Sequence, residues 1–591
     1  MRKTYDMKEI LSGNEAIARG AYEAGVKVAC AYPGTPSTEI LENTIRYPEI
    51  DSSWATNEKV ALEVGIGACF TGARALVTMK HVGVNVAADP LFTLSYTGVR
   101  GGLLLVTADD PELHSSQNEQ DNRNYAKFAK VPMLEPSDSQ ECLSFTRLAF
   151  EISERYDTPV MLRTTTRISH SKSVVEFGER LTDLPAPALV KDPSKYVMLP
   201  GNARGRHYVV EDRMVTLSKD GCSMPINRLE LRDTKIGIIT AGVSYNYVRE
   251  VLPDASVLKL GMVHPLPFDL IRDFASKVDR LYVVEELDPF IEEQVKAAGI
   301  AVTGKEILPI CGELTPGRIR KAFGLPESEE SAVEKLPGRP PNMCPGCPHR
   351  GVFYTLNRLK AYVSGDIGCY TLGFMPPLSA MDTCICMGAS IGMATGAAKV
   401  LPPEERKKVV AVIGDSTFLH TGVNGLIDMV YNKGIATVII LDNRITAMTG
   451  RQDNPASGHT LMDSPTNAID FPMLCKAIGV QHVRTINPLD LRECKKVISE
   501  EMERPETSVI ITDKPCVLIK REGVFSRGKV LTVKEETCVG CRTCLKIGCP
   551  AIEWVPGTEG KRGKAFIDPL LCNGCDVCRQ LCNFSAIQED I

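Results

Sequence analysis

The chain has 591 residues, 43% apolar and 24% charged, with 68 Lys+Arg against 73 Asp+Glu, a net charge of −5. Such a length predicts roughly three to five domains, and the slightly acidic balance argues against a general nucleic-acid binder. No stretch approaches about 18 uninterrupted apolar residues, which argues against a membrane span, and the charged start MRKTYDMKEILSGNEAIARG lacks the apolar core of a secretion signal. A cytoplasmic location is expected. Twenty-one cysteines cannot pair completely, and clustered cysteines without a secretion signal read as metal ligands or redox groups.

In chain order, residues 1–190 alternate short apolar runs (VKVACAYPG, ARALVTMK, GGLLLVTA) with helical patterns such as DSQECLSFTRLAFEISERY, as parallel βαβ construction requires. Residues 191–322 begin with a polar, irregular stretch to about 230, expected to be a linker or extended crossover. KIGIITAGVS, ASVLKLG and RLYVVEE then mark a second α/β unit. Residues 323–342 are polar and Pro-rich, a predicted linker. Residues 343–525 form a third α/β unit with strands VVAVIGD, ATVIILDN and SVIITDK, and residues 529–591 are a cysteine-dense tail. The expected fold class is therefore three doubly wound α/β domains followed by a small α+β domain.

In the third unit a buried strand ends at Gly414-Asp415-Ser416 and the next at Asp442-Asn443. Parallel strands end on one edge, where ligands bind, so Asp415 and Asn443 supply hard oxygens suited to Mg²⁺. Gly414 permits close approach, and the following helix start suits an anion. A strand–turn–helix with a capping Asp explains GDS alone; the interval and the terminal Asn make the pattern specific. It resembles the thiamine diphosphate motif, which implies Asp415, Asn443 and the carbonyl of Ile445 as magnesium ligands. Ser416 departs from the commoner Gly.

The tail reads Cys538-x2-Cys541-x2-Cys544-x4-Cys549-Pro and Cys572-x2-Cys575-x2-Cys578-x3-Cys582. Three cysteines at this spacing wrap a cubane, and the fourth reaches the cluster of the other half. Cys538, Cys541, Cys544 and Cys582 are thus assigned to one 4Fe-4S cluster, and Cys572, Cys575, Cys578 and Cys549 to another. Zinc ribbons lack a third cysteine at the next step. The tail resembles bacterial two-cluster ferredoxins, departing in the four-residue gap before Cys549 and in Asn583, where Pro is usual. Cys30, Cys69, Cys142, Cys222, Cys311, Cys475 and Cys494 stand alone and are expected to be small buried hydrophobes; Cys384 and Cys386 are left unassigned.

Thiamine enzymes need a carboxylic acid beside the aminopyrimidine. Glu58, in NEKVALEVGIGA, opens a small, apolar helix; burial would favour its protonated, donating form, while a dipole-stabilised helix N-terminal Glu is the plainer reading. Tyr32-Pro33-Gly34-Thr35-Pro36-Ser37 resembles a loop that contacts cofactor and substrate in such enzymes. His81 and Asn85 of KHVGVN, and His114 of HSSQN, follow strands and line the pocket or serve as satisfied loop polars.

Across nearly its whole length, through YPGTPSTEI, NEKVALEVGIGACFTGARALVTMKHVGVN, HSSQNEQDNR, CPGCPHRG and GDSTFLHTGVNGLIDMVYN, the chain resembles the alpha subunits of the indolepyruvate:ferredoxin oxidoreductase family. The resemblance implies Tyr32, Pro33, Thr35, Glu58, Gly414, Asp415, Ser416, Asn443 and Ile445 at the cofactor, with Glu58 catalytic. It further implies a proximal 4Fe-4S cluster on Cys344, Cys347, Cys369 and Cys516, and a transketolase C-terminal-like second unit. The implied reaction is ferredoxin-dependent oxidative decarboxylation of an arylpyruvate with coenzyme A. Implied partners are a separate smaller beta subunit, in a heterotetramer or larger assembly, and ferredoxin. Three rivals stand: another 2-oxo acid (pyruvate, 2-oxoglutarate, branched-chain), a non-oxidative thiamine-dependent decarboxylase, and an electron-transfer subunit without catalysis.

Overall fold

The computed structural model describes residues 8–326, 338, 340–558 and 562–589, so most of the expected 323–342 linker lies outside the described residues. The chain divides into two compact units, Met1–Glu334 and Lys335–Ile591.

The first unit is built on a seven-stranded sheet. Its order is Met262–His264, Met133–Leu134, Val160–Thr165, Leu103–Asp109, Ala75–Lys80, Val28–Ala31 and Asp51–Trp54. All neighbours are parallel except Met262–His264 against Met133–Leu134. Ala75–Lys80, Leu103–Asp109 and Val160–Thr165 are buried at every position, because helices cover both faces of a parallel sheet. The helix Glu58–Phe70 starts where it does because the Asn57 side chain accepts from the Val60 amide at 2.9 Å.

A four-stranded sheet follows, ordered Leu281–Val284, Asp233–Ala241, Ala255–Leu260, Arg228–Glu230. The strand Met262–His264, although it belongs in sequence to this second sheet, joins the first. The junction is reinforced by buried charges. Arg123 binds Asp121 at 2.5 Å and Glu285 at 2.6 Å, and Arg163 binds Asp109 and Glu135 at 2.7 Å each.

The polar stretch before this sheet is not the expected linker: it contains a 21-residue helix, Pro200–Asp220. Only Val210, Arg213 and Leu217 are buried along it. Arg213 interrupts the apolar stripe and donates to the Ser95 carbonyl at 2.9 Å, so the helical period is polar where a sequence reading looks for apolar residues.

In the second unit the order is Tyr362–Ser364, Val409–Gly414, Thr437–Asp442, Ser508–Asp513, His482–Ile486, all parallel. The tail adds two antiparallel pairs, Leu531–Val533 with Ile587–Glu589 and Ile552–Val555 with Lys564–Ile567. The molecule is thus α/β, with a small α+β cysteine-rich tail. Of the seven solitary cysteines five are buried, but Cys222 is half-buried and Cys311 exposed, so the small-hydrophobe reading fails for those two. No helix among the described residues is long and apolar enough to cross a membrane.

Candidate functional site

In the second unit, Gly414 pairs with Leu441 in the parallel register, so Asp415 and Asn443 leave the sheet side by side. Gly414 packs against the Tyr370 ring, where a side chain would collide at 2.7 Å. The Ile445 amide donates to Asp415 Oδ2 and to Asn443 Oδ1, both at 3.2 Å, which brings the two oxygens to one point. Asn454 donates to the same Asp415 oxygen at 3.4 Å, and the Ser416 amide to the other at 2.7 Å. Ser416 Oγ accepts from Thr446 at 2.8 Å.

Burial, and then the neighbouring Asp442, push the Asp415 carboxyl up to about 8. A buried carboxyl held so high is one that a divalent cation would convert to its charged form. Asn443 is oriented from behind: its Nδ2 lies 3.2 Å from His349 Nε2. Burial pushes His349 down to about 4, so the neutral ring accepts from the amide and Oδ1 is left facing Asp415. The carboxylate and the amide oxygen, with Ile445 in the loop just beyond the strand Thr437–Asp442, offer a hard oxygen donor set that fits Mg²⁺. His349 and Asn454 escaped the sequence reading, since a solitary His or Asn carries no spacing signal.

Cys516 follows the strand Ser508–Asp513, and its amide donates to the Asn443 carbonyl at 3.0 Å. Burial pushes Cys347 up to about 12 and Cys369 to about 11. The charges of Cys369 and Cys344 act on the first, and those of Cys516 and Cys344 on the second. These four cysteines therefore lie together beside the Asp415–Asn443 edge. In the tail, Cys538, Cys541, Cys544 and Cys582 line one small cavity of about 20 Å³, with Trp554 and Ile587 also in its wall. Burial raises Cys575 and Cys578, and Cys549 and Cys572 act on both. Cys582 thus lies near Cys538, Cys541 and Cys544, and Cys549 near Cys572, Cys575 and Cys578. Tetrahedral zinc, with Zn–S of about 2.3 Å, draws its sulfurs closely together. Among the described residues no three cysteine sulfurs lie within 4.8 Å of one another.

In the first unit Glu58 is 5% exposed at the start of its helix. Gly83 faces it, and a Cβ there would lie 2.8 Å from its Oε1, so this glycine keeps space for the carboxyl. Buried Tyr32 opens a turn closed by Ser37, whose amide and hydroxyl both donate to the Gly34 carbonyl at 2.8 Å. Lys80 packs under Gly34 and donates to the Ser115 carbonyl at 2.7 Å, and Ser115 Oγ lies 3.5 Å from the Thr35 carbonyl. His81 is fully buried with Nε2 3.2 Å from the Asn118 carbonyl. Asn85 is exposed and accepts from the Tyr125 hydroxyl at 2.6 Å. His114 is exposed, 3.4 Å from Glu313, whose charge Arg167 meets at 2.8 Å. Thr35, His81, Asn85 and His114 are thus held by separate partners rather than as one cluster.

Comparison with known proteins agrees with this geometry. Residues 19–194 match the family "Pyruvate flavodoxin/ferredoxin oxidoreductase, thiamine diP-bdg", and residues 366–512 match "Thiamine pyrophosphate enzyme, C-terminal TPP binding domain". The chain is 39% identical to indolepyruvate oxidoreductase subunit IorA of Pyrococcus horikoshii, over 98% of this chain and 97% of that one. It is 41% identical, over the same shares, to the subunit of that name from Archaeoglobus fulgidus. The 2-oxoglutarate synthase subunit KorA of Methanothermobacter thermautotrophicus is 25% identical over 51% of this chain and 94% of its own. With thiamine-binding domains at both matched segments and near-complete coverage at about two-fifths identity, the chain belongs to the family of indolepyruvate oxidoreductase IorA subunits.

Proposed function

We propose that this chain carries out the oxidative decarboxylation of arylpyruvates such as indole-3-pyruvate: 2-oxo acid, coenzyme A and two oxidised ferredoxins give aryl-acetyl-CoA, CO₂, a proton and two reduced ferredoxins. It does so with a separate smaller beta subunit, in a heterotetramer or larger assembly, and the subunit names of its relatives support a partner chain. The observation that carries the reading is the convergence of Asp415 and Asn443 on one amide in the same unit as three groups of four cysteines.

Bound thiamine diphosphate supplies a carbanion nucleophile that opens a 2-oxo acid to loss of CO₂, and 4Fe-4S clusters supply one-electron acceptors. Asp415, Asn443 and the Ile445 carbonyl would hold Mg²⁺ against the diphosphate, with Gly414 and Ser416 at the start of the adjoining helix. Glu58 would hold a proton at the aminopyrimidine, with Tyr32, Pro33 and Thr35 nearby. His81, Asn85 and His114 are proposed for the substrate side, His81 acting through the Asn118 loop. Cys344, Cys347, Cys369 and Cys516 would hold the cluster that first receives electrons. Cys549, Cys572, Cys575 and Cys578, and Cys538, Cys541, Cys544 and Cys582, would hold the other two.

The test is anaerobic viologen reduction by the chain with its native partner and coenzyme A, comparing indolepyruvate, phenylpyruvate, pyruvate and 2-oxoglutarate. Rapid reduction with the aryl acids is expected. Reduction with pyruvate or 2-oxoglutarate alone overturns the substrate and keeps the chemistry. Aldehyde release without reduction points to a non-oxidative decarboxylase.

A further inference from the structure

Arg350 follows the Cys344–Cys347 loop and is 2% exposed. Its guanidinium donates to the carbonyls of Cys344 at 3.2 Å, Ile547 at 3.1 Å and Gly548 at 2.7 Å, to that of Met343, and to Asn342 Oδ1 at 3.2 Å. Among the described residues none of these partners is a carboxylate. Burying a cation without a counter-charge is costly, and dipoles of neutral carbonyls meet only part of that cost. The ionisable groups that act on it most strongly are Cys347, Cys549, Cys344 and Cys575, drawn from two of the three cysteine groups.

The loops that hold those groups are tied together at the same place. Asn573, between Cys572 and Cys575, donates to the Pro345 carbonyl at 2.7 Å. Gly548, the last residue of the unusually long gap before Cys549, has φ 67° and turns its carbonyl to Arg350. The end of that gap thus presents two backbone oxygens, those of Ile547 and Gly548, to the buried guanidinium just before Cys549.

We propose that Arg350 is a shared counter-charge for two iron–sulfur clusters, that of Cys344, Cys347, Cys369 and Cys516 and that of Cys549, Cys572, Cys575 and Cys578. The inference rests on the cluster reading proposed for these cysteines. Each cluster gains one negative charge on reduction, and no bond or proton changes place as an electron leaves the first and enters the second. A fixed positive charge beside both favours both reduced forms and raises both potentials. Arg350 is therefore a positioning and tuning residue, and it touches no substrate.

The experiment is an EPR-monitored redox titration of the full chain with its partner, with iron counted per chain, in the parent, Arg350→Gln and Arg350→Lys. The expected result is full iron in the parent and two midpoints shifted to more negative values in Arg350→Gln. A smaller shift is expected in Arg350→Lys, which keeps the charge and loses the fork. The cluster of Cys538, Cys541, Cys544 and Cys582 serves as the unshifted internal control. Iron loss confined to the two clusters facing Arg350 supports the same dependence. Full iron with unchanged midpoints, equal shifts in Gln and Lys, or a change common to all three clusters overturns the inference and leaves the cluster reading standing. A parent chain without iron at these two sites overturns both.

Discussion

A single backbone amide, that of Ile445, draws the side-chain oxygens of Asp415 and Asn443 together, and the proposed Mg²⁺ site is built on that pair. At a carboxyl raised to about 8 by burial a proton competes with Mg²⁺ for the same oxygens, so cofactor retention is expected to weaken as pH falls below that value. Asp415→Asn is expected to abolish retention of thiamine diphosphate and Mg²⁺ on gel filtration while leaving the fold and the tail iron intact. His349→Leu removes the acceptor that orients the Asn443 amide and is expected to weaken metal affinity by about 10- to 100-fold, measured by Mg²⁺ titration of activity. Glu58→Gln keeps size and hydrogen bonding but not the proton. Its expected cost is about 10²- to 10⁴-fold in kcat with thiamine diphosphate binding retained, and a kcat near the parent value sinks the assignment.

At the scale of elements, the strand Met262–His264 follows the second sheet in sequence and pairs at the edge of the first. His264 is buried there without a hydrogen-bond partner on either ring nitrogen among the described residues. Burial, with Lys127 and Lys130, pushes it down to about 4 from 6.5. Between these values the unfolded chain binds the additional proton, so stability is full above pH 6.5 and is lost as pH falls toward 4. The loss is roughly 3 kcal/mol, and His264→Leu should flatten that part of the stability curve in chemical denaturation. The charges beside this strand behave differently. Arg123→Met leaves Glu285 buried without its cation and Asp121 with only Arg163 at 3.8 Å, and is expected to destabilise the unit by about 3–5 kcal/mol. The helix Pro200–Asp220, by contrast, has little to lose, since three buried side chains anchor 21 residues.

At the scale of the molecule, the tail and the third α/β region form one unit, and the cysteine groups can be separated by single substitutions. Cys549→Ser and Cys572→Ser should remove the same EPR signal, and Cys582→Ser should remove another. If Cys549→Ser and Cys582→Ser remove the same signal, the crossing is wrong. The proposed crossing comes from the sequence, because each half carries three cysteines at a spacing that leaves its fourth ligand out of local reach. Asp415 and Asn443 were legible for a related reason: strand ends in a parallel sheet share an edge whatever surrounds them. The helical nature of residues 200–220 was not, because its buried stripe includes an arginine.

Short-range spacing and the period of buried strands thus carried the α/β class, the paired strand ends at Asp415 and Asn443 and the grouping of the cysteines, and the resemblance of longer motifs carried the family. Which solitary polar residues matter emerged only from the folded arrangement. His349 behind Asn443, Asn454 beside Asp415, Gly83 facing Glu58 and Arg350 among the cysteine loops each act across gaps of 25 to 198 residues. Chain spacing carries no record of such contacts; folding creates them, and burial gives them their strength.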